Sequence, residues 1–240
     1  MIRLFVHDSF TAGGAVSLVP TQVNYLRAVM RLKPGDQLVL FNGQEGAWQA
    51  QIELLTKKAG TVVLQKQIQP QKASSLAHVT LFFAPLKAHR QALLIEKAVE
   101  LGVGTLQPVL TQRSQMRNMK RDKVLAQCIE AAEQCERLDV PGLGELQPLF
   151  ESVQQHQDLP LLWGAERLEA SDNSLKNIKS SESIGLLVGP EGGFSPKETQ
   201  WLQQQSQIKP LSFGPEILRA ETAAIFGLSW VKSQLLEGST

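Results

Sequence analysis

Two stretches near the end of this 240-residue chain combine the residue types that build a ligand site. In the first, an apolar strand leads through residues 189–193 (GPEGG) into a helix start, where Ser195 is a predicted N-cap and Glu198 completes a capping box. In the second, a strand over residues 211–213 leads through Gly214 and a proline into another helix. Backbone N–H groups at glycine-rich turns and helix N-termini can bind a ligand. The spacing therefore predicts a site made largely of main chain, although glycines that only shape turns would give the same pattern.

The common phosphate and metal motifs are absent from both stretches. There is no dinucleotide-binding glycine pattern with its distant acid, no P-loop lysine and no serine hydrolase motif. The histidines, His7, His78, His89 and His156, are scattered without metal-ligand spacing, so we expect no metal, and we expect His78 and His156 to be ordinary surface or core residues. By elimination, the sequence favours a compact nucleoside-like cofactor over a polyphosphate.

The elements that must hold these loops alternate along the second part of the chain. Apolar runs predict strands, and 3.6-residue periodicity predicts helices that follow them. The predicted strands are Val79–Ala84, Leu106–Leu110, Leu159–Trp163, Ile184–Val188 and Ile208–Phe213. The predicted helices are Lys87–Leu101, Asp122–Arg137, Pro196–Gln205 and Glu221–Leu236. Such alternation indicates an α/β fold with a parallel sheet covered on both faces.

The first seventy residues have a different pattern. Short strands are predicted at Arg3–Val6, Gln37–Phe41, Trp48–Ile52 and Thr61–Leu64, with one short helix over Gln22–Met30. Strands at this spacing indicate a small β-barrel. The polar run Gln65–Ser75 is typical of a linker. We therefore expect a domain over residues 1–70, a linker over 71–77 and a second domain over 78–240.

Composition excludes several classes of protein. A net charge of +1 and 42% apolar residues are typical of a globular protein, and residues 1–70 carry seven Lys and Arg against four Asp and Glu. A partner with phosphates would therefore meet the first half of the chain, unless this is an ordinary charged surface. No apolar run has membrane-span length and no signal peptide is evident, so we expect no membrane partner and a cytoplasmic protein. Cys128 and Cys135, two turns apart on a predicted helix, are expected to be free thiols.

Several motifs in order along the chain resemble one known family. GPEGGFSPKE and LSFGPEILRAETAA closely resemble the RsmE-type 16S ribosomal RNA uridine N3-methyltransferases of the SPOUT superfamily. Residues 95–103 (IEKAVELGV), Gln112-Arg113-Ser114 and residues 129–135 (IEAAEQC), followed by Val140-Pro141, match further segments of that family. Residues 26–36 (LRAVMRLKPGD) are similar to its PUA-like RNA-binding domain. The resemblance covers the whole chain.

The resemblance implies an N-terminal PUA-like small β-barrel and a C-terminal SPOUT α/β domain with a deep trefoil knot. It also implies a homodimer and S-adenosylmethionine as methyl donor, bound in the loops of the knot at the subunit interface. Carried over to this sequence, the cofactor contacts fall on Gly189, Glu191, Gly192, Gly193, Phe213, Gly214, Leu218, Thr222 and Ala223. The implied activity is methylation of N3 of a specific uridine in the decoding region of 16S ribosomal RNA, in the small ribosomal subunit.

The implied reaction needs a cation and a base. The proton on uracil N3 must leave as the nitrogen is methylated, so a cation that stabilises the anion and a base that accepts the proton are expected. Arg219 is the expected cation, unless it only forms an ion pair with Glu216 or Glu221. Glu191 and Glu221 are the candidate bases, and either could instead stabilise a helix N-terminus. The expected RNA contacts are Arg27, Arg31, Lys33, His89, Arg90, Arg113 and Arg117.

Two positions depart from the family. Glu216 stands where the family usually has arginine, and Asp139 stands where many members have a basic or neutral residue. Both changes bear on the RNA substrate rather than on the cofactor. A SPOUT methyltransferase acting on another RNA, for example on a transfer RNA ribose 2′-oxygen, is an alternative. A non-catalytic ribosomal RNA-binding assembly factor is another, although such a protein would not need a donor-shaped pocket.

Overall fold

The computed structural model describes residues 1–165 and 183–237 and divides into two compact units. The first unit contains Met1–Ala73 and Ala132–Val140, and the second contains Ser74–Ala131 and Pro141–Thr240. Each unit has its own sheet. No helix within the described ranges is long and apolar enough to span a membrane.

The first unit is built on a five-stranded sheet with the order β1-β3-β4-β5-β2. The strands are β1 (Arg3–Phe5), β2 (Ala15–Ser17), β3 (Gln37–Phe41), β4 (Ala47–Leu55) and β5 (Gly60–Gln69). β1 pairs with β3 in parallel, and the other pairs are antiparallel. Because β1 and β2 are the two edge strands, closure of this sheet into a barrel stays a prediction. The linker prediction was wrong for residues 65–69, which continue β5 with exposed polar side chains while pairing with β4.

The predicted helix of the first unit differs from the observed one. It begins earlier, as α1 (Pro20–Asn24), because Pro20 suits the first helical position. It continues as a π-helical segment, Tyr25–Val29. Arg31, with a φ of 57°, then turns the chain, and the Leu32 N–H donates to the Leu26 carbonyl at 2.9 Å. The segment that carries Arg27 and Arg31 is therefore a wide, irregular turn of helix.

A segment distant in sequence completes the first unit. Leu138 packs on Val39 and Ala47, which are buried residues of β3 and β4. The backbone N–H of Phe5 donates to Glu133 Oε1 at 3.0 Å. Residues 132–140 thus cover part of this sheet, although they are far in sequence from all of its strands.

The second unit is built on a parallel sheet with the order β12-β10-β11-β6-β7-β8, and β9 also pairs with β7. The strands are β6 (Leu76–Phe83), β7 (Val103–Leu110), β8 (Gly142–Leu143), β9 (Gln147–Pro148), β10 (Leu161–Gly164), β11 (Ile184–Val188) and β12 (Ile208–Leu211). Every pairing in it is parallel, which confirms the predicted α/β class.

Helices cover both faces of this sheet. They are α2 (Ala88–Leu101), α3 (Arg121–Gln134), α4 (Leu149–Gln155), α5 (Pro196–Gln204) and α6 (Ala220–Glu237). α2 and α6 pack together, and α6 also contacts β6 and β11. Apolar residues of α4 and α5 form a core with strand residues such as Phe82 and Leu187. α3 ends three residues before its predicted end, so Cys135 lies beyond it, and neither cysteine is in a disulfide.

Candidate functional site

A cavity of about 380 Å³ lies at the carboxyl ends of three neighbouring strands of the second unit. Gly164 and Ala165 line it from the end of β10, and Val188, Gly189 and Pro190 line it from the end of β11. Phe213 and Gly214 line it from the loop after β12. Ligands of parallel α/β sheets bind at this edge, and the volume is within the usual range for small-molecule pockets.

The wall of the cavity combines apolar side chains with polar groups of the main chain and of a few side chains. Its other lining residues are Arg113, Trp163, Gly193, Phe194, Thr199, Gln203, Glu216, Ile217, Leu218, Ala220 and Ala223. Among the lining residues that the structure describes, Arg113 and Glu216 are the ones with ionisable side chains. Two loops that contain glycines with positive φ shape it, at Gly193 (64°) and Gly214 (104°). The cavity thus offers apolar faces and main-chain groups to a ligand, with one charge of each sign at its wall.

Not all of the nine residues expected to contact a cofactor line the cavity. Six of them line the cavity: Gly189, Gly193, Phe213, Gly214, Leu218 and Ala223. Glu191, Gly192 and Thr222 lie in the same loops or helix start without lining it. The geometry brings the two predicted loops to one cavity, and the contacts with a ligand stay predictions.

Gly164 is a position where a side chain would close the cavity. A Cβ built there would lie 2.6 Å from Phe213 Cε2 and 2.9 Å from its Cζ. We expect Gly164→Ala to push the Phe213 ring toward the cavity and to weaken S-adenosylmethionine binding about tenfold, with a stability loss of about 1–3 kcal/mol. Calorimetric titration and thermal unfolding measure the two effects.

Gly142→Ala in β8 is the matched control. The contact nearest to a Cβ there is 3.5 Å, which is ordinary van der Waals contact. Donor affinity should stay unchanged in this variant. Equal affinities in the Gly164 and Gly142 variants would contradict the expected position of the donor.

Arg90, a predicted RNA contact, lies half-buried in an ion-pair cluster. Its Nη1 lies 3.3 Å from Glu191 Oε1, and its Nε lies 3.8 Å from Glu221 Oε1. The cluster therefore joins the start of α2 to the glycine-rich loop and to the first turn of α6. Glu191 Oε2 and Glu221 Oε2 are buried and have no hydrogen-bond partner among the described residues. Two carboxylates therefore offset the charge of Arg90, whose side chain is 24% exposed, and its contact with RNA stays a prediction.

Arg219 is free of the ion pair that would have given it a purely structural role. It is exposed at the residue before α6, and within the described ranges it forms no salt bridge with Glu216 or Glu221. Glu221 pairs with Arg90 instead. Arg219 follows Leu218 of the cavity wall and precedes Ala220, which also lines the cavity. Arg219 itself does not line the cavity, and its contact with a substrate stays a prediction.

The remaining predicted RNA contacts belong to different units. Arg113, Arg117 and His89 are exposed residues of the second unit, and Arg113 lines the cavity. Arg27, Arg31 and Lys33 belong to the first unit. Arg31 and Lys33 are exposed and Arg27 is half-buried. All six stay predictions.

Several cavity residues escaped the sequence reasoning. Thr199 and Gln203 lie one helical turn apart on α5 and bring polar side chains to the wall. Trp163 lies at the end of β10, with its ring 6.0 Å from that of Phe194 in an edge-to-face arrangement. The position of Trp163 at the carboxyl end of a predicted strand was a usable signal, because such positions line α/β sites.

The described part of the chain contains no group of three or more metal-ligating side chains. His78 lies on β6, and burial lowers the pKa of its imidazole below the ordinary value. This histidine therefore stays neutral near pH 7 and adds no charge to a basic surface.

Comparison with known proteins matches both units. A family described as an RNA methyltransferase domain matches residues 72–232, and one described as an RNA methyltransferase PUA domain matches residues 20–65. The Ribosomal RNA small subunit methyltransferase E of Rickettsia conorii is 33% identical over 234 residues, covering 96% of this chain and 94% of that protein.

Solved structures agree with this comparison. The chain superposes with a TM-score of 0.86 on a Ribosomal RNA small subunit methyltransferase E from Neisseria gonorrhoeae bound to S-adenosyl methionine, at 26% identity and 97% coverage of both chains. A putative methyltransferase from Legionella pneumophila, also solved with this cofactor, gives a TM-score of 0.83 at 30% identity, again with 97% coverage of both chains. The chain belongs to the RNA methyltransferase family that includes the small-subunit ribosomal RNA methyltransferases E.

Proposed function

We propose that this S-adenosylmethionine-dependent ribosomal RNA methyltransferase methylates N3 of a uridine in 16S ribosomal RNA of the small ribosomal subunit. The observation that carries the proposal is the cavity at the carboxyl ends of β10, β11 and β12, which the two glycine-containing loops enclose. Family membership supports the donor and the class of RNA. The choice of N3 rests on the resemblance of the GPEGGF and ILRAETAA motifs.

The residues of the cavity fit S-adenosylmethionine. Apolar side chains and aromatic rings suit an adenine, and main-chain groups of both loops are available to its polar edge. The ring of Trp163 adds an aromatic surface at the wall. Gly189, Gly193, Phe213, Gly214, Leu218 and Ala223 would hold the cofactor. When bound, S-adenosylmethionine supplies an electrophilic methyl group.

The protein must handle the proton on uracil N3. That proton is weakly acidic, and each pKa unit that the site offsets is worth about 1.4 kcal/mol. Glu191 lies in the glycine-rich loop and Glu221 in the first turn of α6, and each has one buried oxygen without a partner among the described residues. We propose that one of them accepts the proton, while Arg90 keeps both in place by its ion pairs.

Arg219 stabilises the negative charge that develops on the uracil ring. It is exposed beside the cavity wall and forms no ion pair within the described ranges. A guanidinium is always charged near neutral pH and donates to planar acceptors. Uracil N3 and O4 share the developing charge, so a cation at that edge favours the anion over the neutral base.

RNA binding is proposed to use basic residues of both units. Arg27, Arg31 and Lys33 carry charge on the PUA-like unit, and Arg113, Arg117 and His89 on the methyltransferase unit. Contacts to phosphates would make the affinity decrease with salt concentration. Glu216, at the cavity wall, reduces the positive charge available there.

We further infer a trefoil knot and a homodimer with the donor sites at the subunit interface. The knot rests on the resemblance of the motifs to the SPOUT superfamily, and the connection from β11 across β10 to β12 is compatible with it. Exposed apolar side chains on two helices that pack together support the dimer, namely Leu93 on α2 and Phe226 on α6. Sedimentation analysis would measure whether the protein is a homodimer.

A ribosomal RNA substrate would place the enzyme in the cytoplasm.

Methyl transfer from labelled S-adenosylmethionine tests the proposal. Small ribosomal subunits and naked 16S ribosomal RNA from cells that lack the enzyme would be the substrates, followed by nucleoside analysis. We expect N3-methyluridine in one of the two. A ribose 2′-O-methyl product would show that the methylated atom is the ribose oxygen rather than N3. Donor binding without any methylated nucleoside would favour a non-catalytic role.

A further inference from the structure

Glu198 is a buried carboxylate to which the proposed reaction assigns no role. Its residue is 4% exposed in the first turn of α5. Glu198 Oε2 accepts a hydrogen bond from the Ser195 backbone N–H at 2.8 Å, and Ser195 Oγ accepts one from the Glu198 N–H at 3.3 Å. These two bonds are the predicted capping box, and they occupy only one of the two carboxylate oxygens.

The second oxygen of Glu198 reaches a different part of the chain. Glu198 Oε1 accepts a hydrogen bond from the Gln112 backbone N–H at 2.7 Å. Gln112 lies in the loop that follows β7, 86 residues before Glu198. A short bond between a carboxylate and an amide is among the stronger hydrogen bonds in proteins. Glu198 therefore ties this loop to the start of α5.

The loop after β7 is a tight turn with its own internal bonds. The Ser114 N–H donates to the Thr111 carbonyl at 3.2 Å, and the Thr111 N–H donates to Ser114 Oγ at 3.0 Å. The hydroxyls of Thr111 and Ser114 also lie 2.9 Å apart, and both residues are buried. These bonds fix the two ends of the turn, and Glu198 fixes its middle.

Arg113 projects from the middle of this turn. It is exposed, it lines the cavity, and its Nη1 donates to the Gly192 carbonyl of the glycine-rich loop at 3.0 Å. This bond uses one of the five N–H donors of the guanidinium, so others remain for an RNA phosphate or base. The direction in which Arg113 leaves the backbone depends on Gln112, its neighbour in sequence and the residue that Glu198 holds.

We propose that Glu198 is a positioning residue for Arg113 and that it sets RNA affinity through this arginine. The inference rests on the proposed function, in which Arg113 contacts RNA. The carboxylate holds the 111–114 turn at the cavity rim before RNA arrives. Arg113 therefore loses less conformational freedom on binding than it would on a mobile loop.

A purely stabilising role for the same carboxylate predicts different behaviour. Loss of the capping box would weaken the start of α5 and would act whether or not Arg113 is present. Loss of the bond to Gln112 would act only through Arg113. A double-mutant cycle between Glu198 and Arg113 separates the two, because coupled residues give non-additive effects.

The test compares Glu198→Gln, Arg113→Ala, their combination and Ser195→Ala. Glutamine keeps the volume of Glu198, but its amide nitrogen cannot accept the second backbone N–H. Ser195→Ala is the matched control, since it removes one bond of the capping box and leaves both carboxylate oxygens in place. The dissociation constant for naked 16S ribosomal RNA is measured at several salt concentrations, and that for S-adenosylmethionine by calorimetry.

We expect Arg113→Ala to weaken RNA binding about tenfold and to reduce the salt slope by about one. Glu198→Gln should weaken RNA binding about fivefold when Arg113 is present and leave it unchanged when Arg113 is absent. Ser195→Ala should change RNA affinity less than twofold in either background, at a cost in α5 stability. If Glu198→Gln does not fold, Ser114→Ala replaces it in the cycle, because it loosens the turn without a change in α5. Ser114→Ala should also weaken RNA binding about fivefold, and only when Arg113 is present.

The outcomes distinguish this inference from the proposed function. Equal effects of Glu198→Gln with and without Arg113 would overturn the positioning role while methylation of 16S ribosomal RNA stands. An unchanged RNA affinity in Arg113→Ala would overturn it as well. Failure of the unmodified protein to bind or methylate the RNA would instead overturn the proposed function.

Discussion

Arg219→Ala is expected to lower the turnover number for methyl transfer by about 10²- to 10³-fold while changing the dissociation constant for S-adenosylmethionine less than twofold. The exposed guanidinium lies beside the cavity wall and has no salt-bridge partner in the described ranges, so its removal leaves no buried charge unpaired. Its interaction becomes strong only when negative charge develops on uracil, which lowers turnover rather than donor affinity. Single-turnover kinetics and calorimetric titration measure the two quantities.

Lys209→Ala in β12 is the control for this prediction, because it also removes an exposed cation of the second unit. That variant should keep both turnover and donor affinity. Arg219→Lys should recover only part of the turnover, since an ammonium cannot match a planar acceptor with two parallel donors. Similar losses of turnover and donor affinity in Arg219→Ala, in a folded protein, would contradict the role assigned to this arginine.

The second large effect is expected from Arg90→Ala, which should destabilise the protein by about 2–4 kcal/mol. Arg90 is the cation between Glu191 and Glu221, whose side chains are 14% and 7% exposed. Without it, two buried carboxylates remain close together with no counter-charge. Their desolvation and mutual repulsion would no longer be offset. Thermal unfolding should show a midpoint lower by about 4–16 °C.

Two further variants show whether charge is the cause. Neutralising both acids in the same chain, with Glu191→Gln and Glu221→Gln, should recover most of the stability lost in Arg90→Ala. Lys97→Ala is the control on the same helix, because Lys97 also bonds two glutamates, Glu96 and Glu100, but these carboxylates are exposed to solvent. Bonds to Glu100 and Glu96 raise the pKa of Lys97 to about 12, yet solvent screens the interaction and little stability should be lost. An unchanged midpoint in Arg90→Ala would contradict the structural role of the cluster.

Much of the second unit could be predicted because its signals are local. Ile184–Val188 is an apolar run that ends at Gly189, and the observed β11 has the same bounds. The capping box predicted at Ser195 and Glu198 is present at the start of α5. Gly102, with a φ of 97°, ends α2 as a left-handed C-cap. At these positions the local preference and the tertiary structure agree.

Short elements were missed because their signals are weak. α4 has seven residues, of which Leu149, Ser152 and Val153 are buried, and so few positions do not establish a period. β2 has three residues at a sheet edge and alternates only once between exposed and buried positions. Both elements are stabilised by packing or pairing with residues distant in sequence, and a short stretch of sequence does not reveal those contacts.

The loops of the site could be predicted from the sequence, but its ion pairs and long-range hydrogen bonds could not. The glycine-rich loops could be recognised from composition and from the resemblance. The ion pair of Arg90 with Glu191 could not, because the two residues lie 101 positions apart in the chain. The bond from Gln112 to Glu198 has the same difficulty. An exposed arginine and a half-buried arginine in an ion pair look alike in sequence, and only the fold distinguishes them.

The segment Ala132–Val140, which supplies Leu138 to the sheet of the first unit, sets the order in which a newly made chain can finish folding. Residues 74–131 must be synthesised between Ala73 and this segment, which takes about 3–12 seconds at a rate of about 5–20 residues per second. During that interval the apolar surface at Val39 and Ala47 has no cover from Leu138. The first unit is therefore complete only after more than half of the protein has been synthesised. A chain truncated before residue 132 would leave apolar side chains of β3 and β4 uncovered.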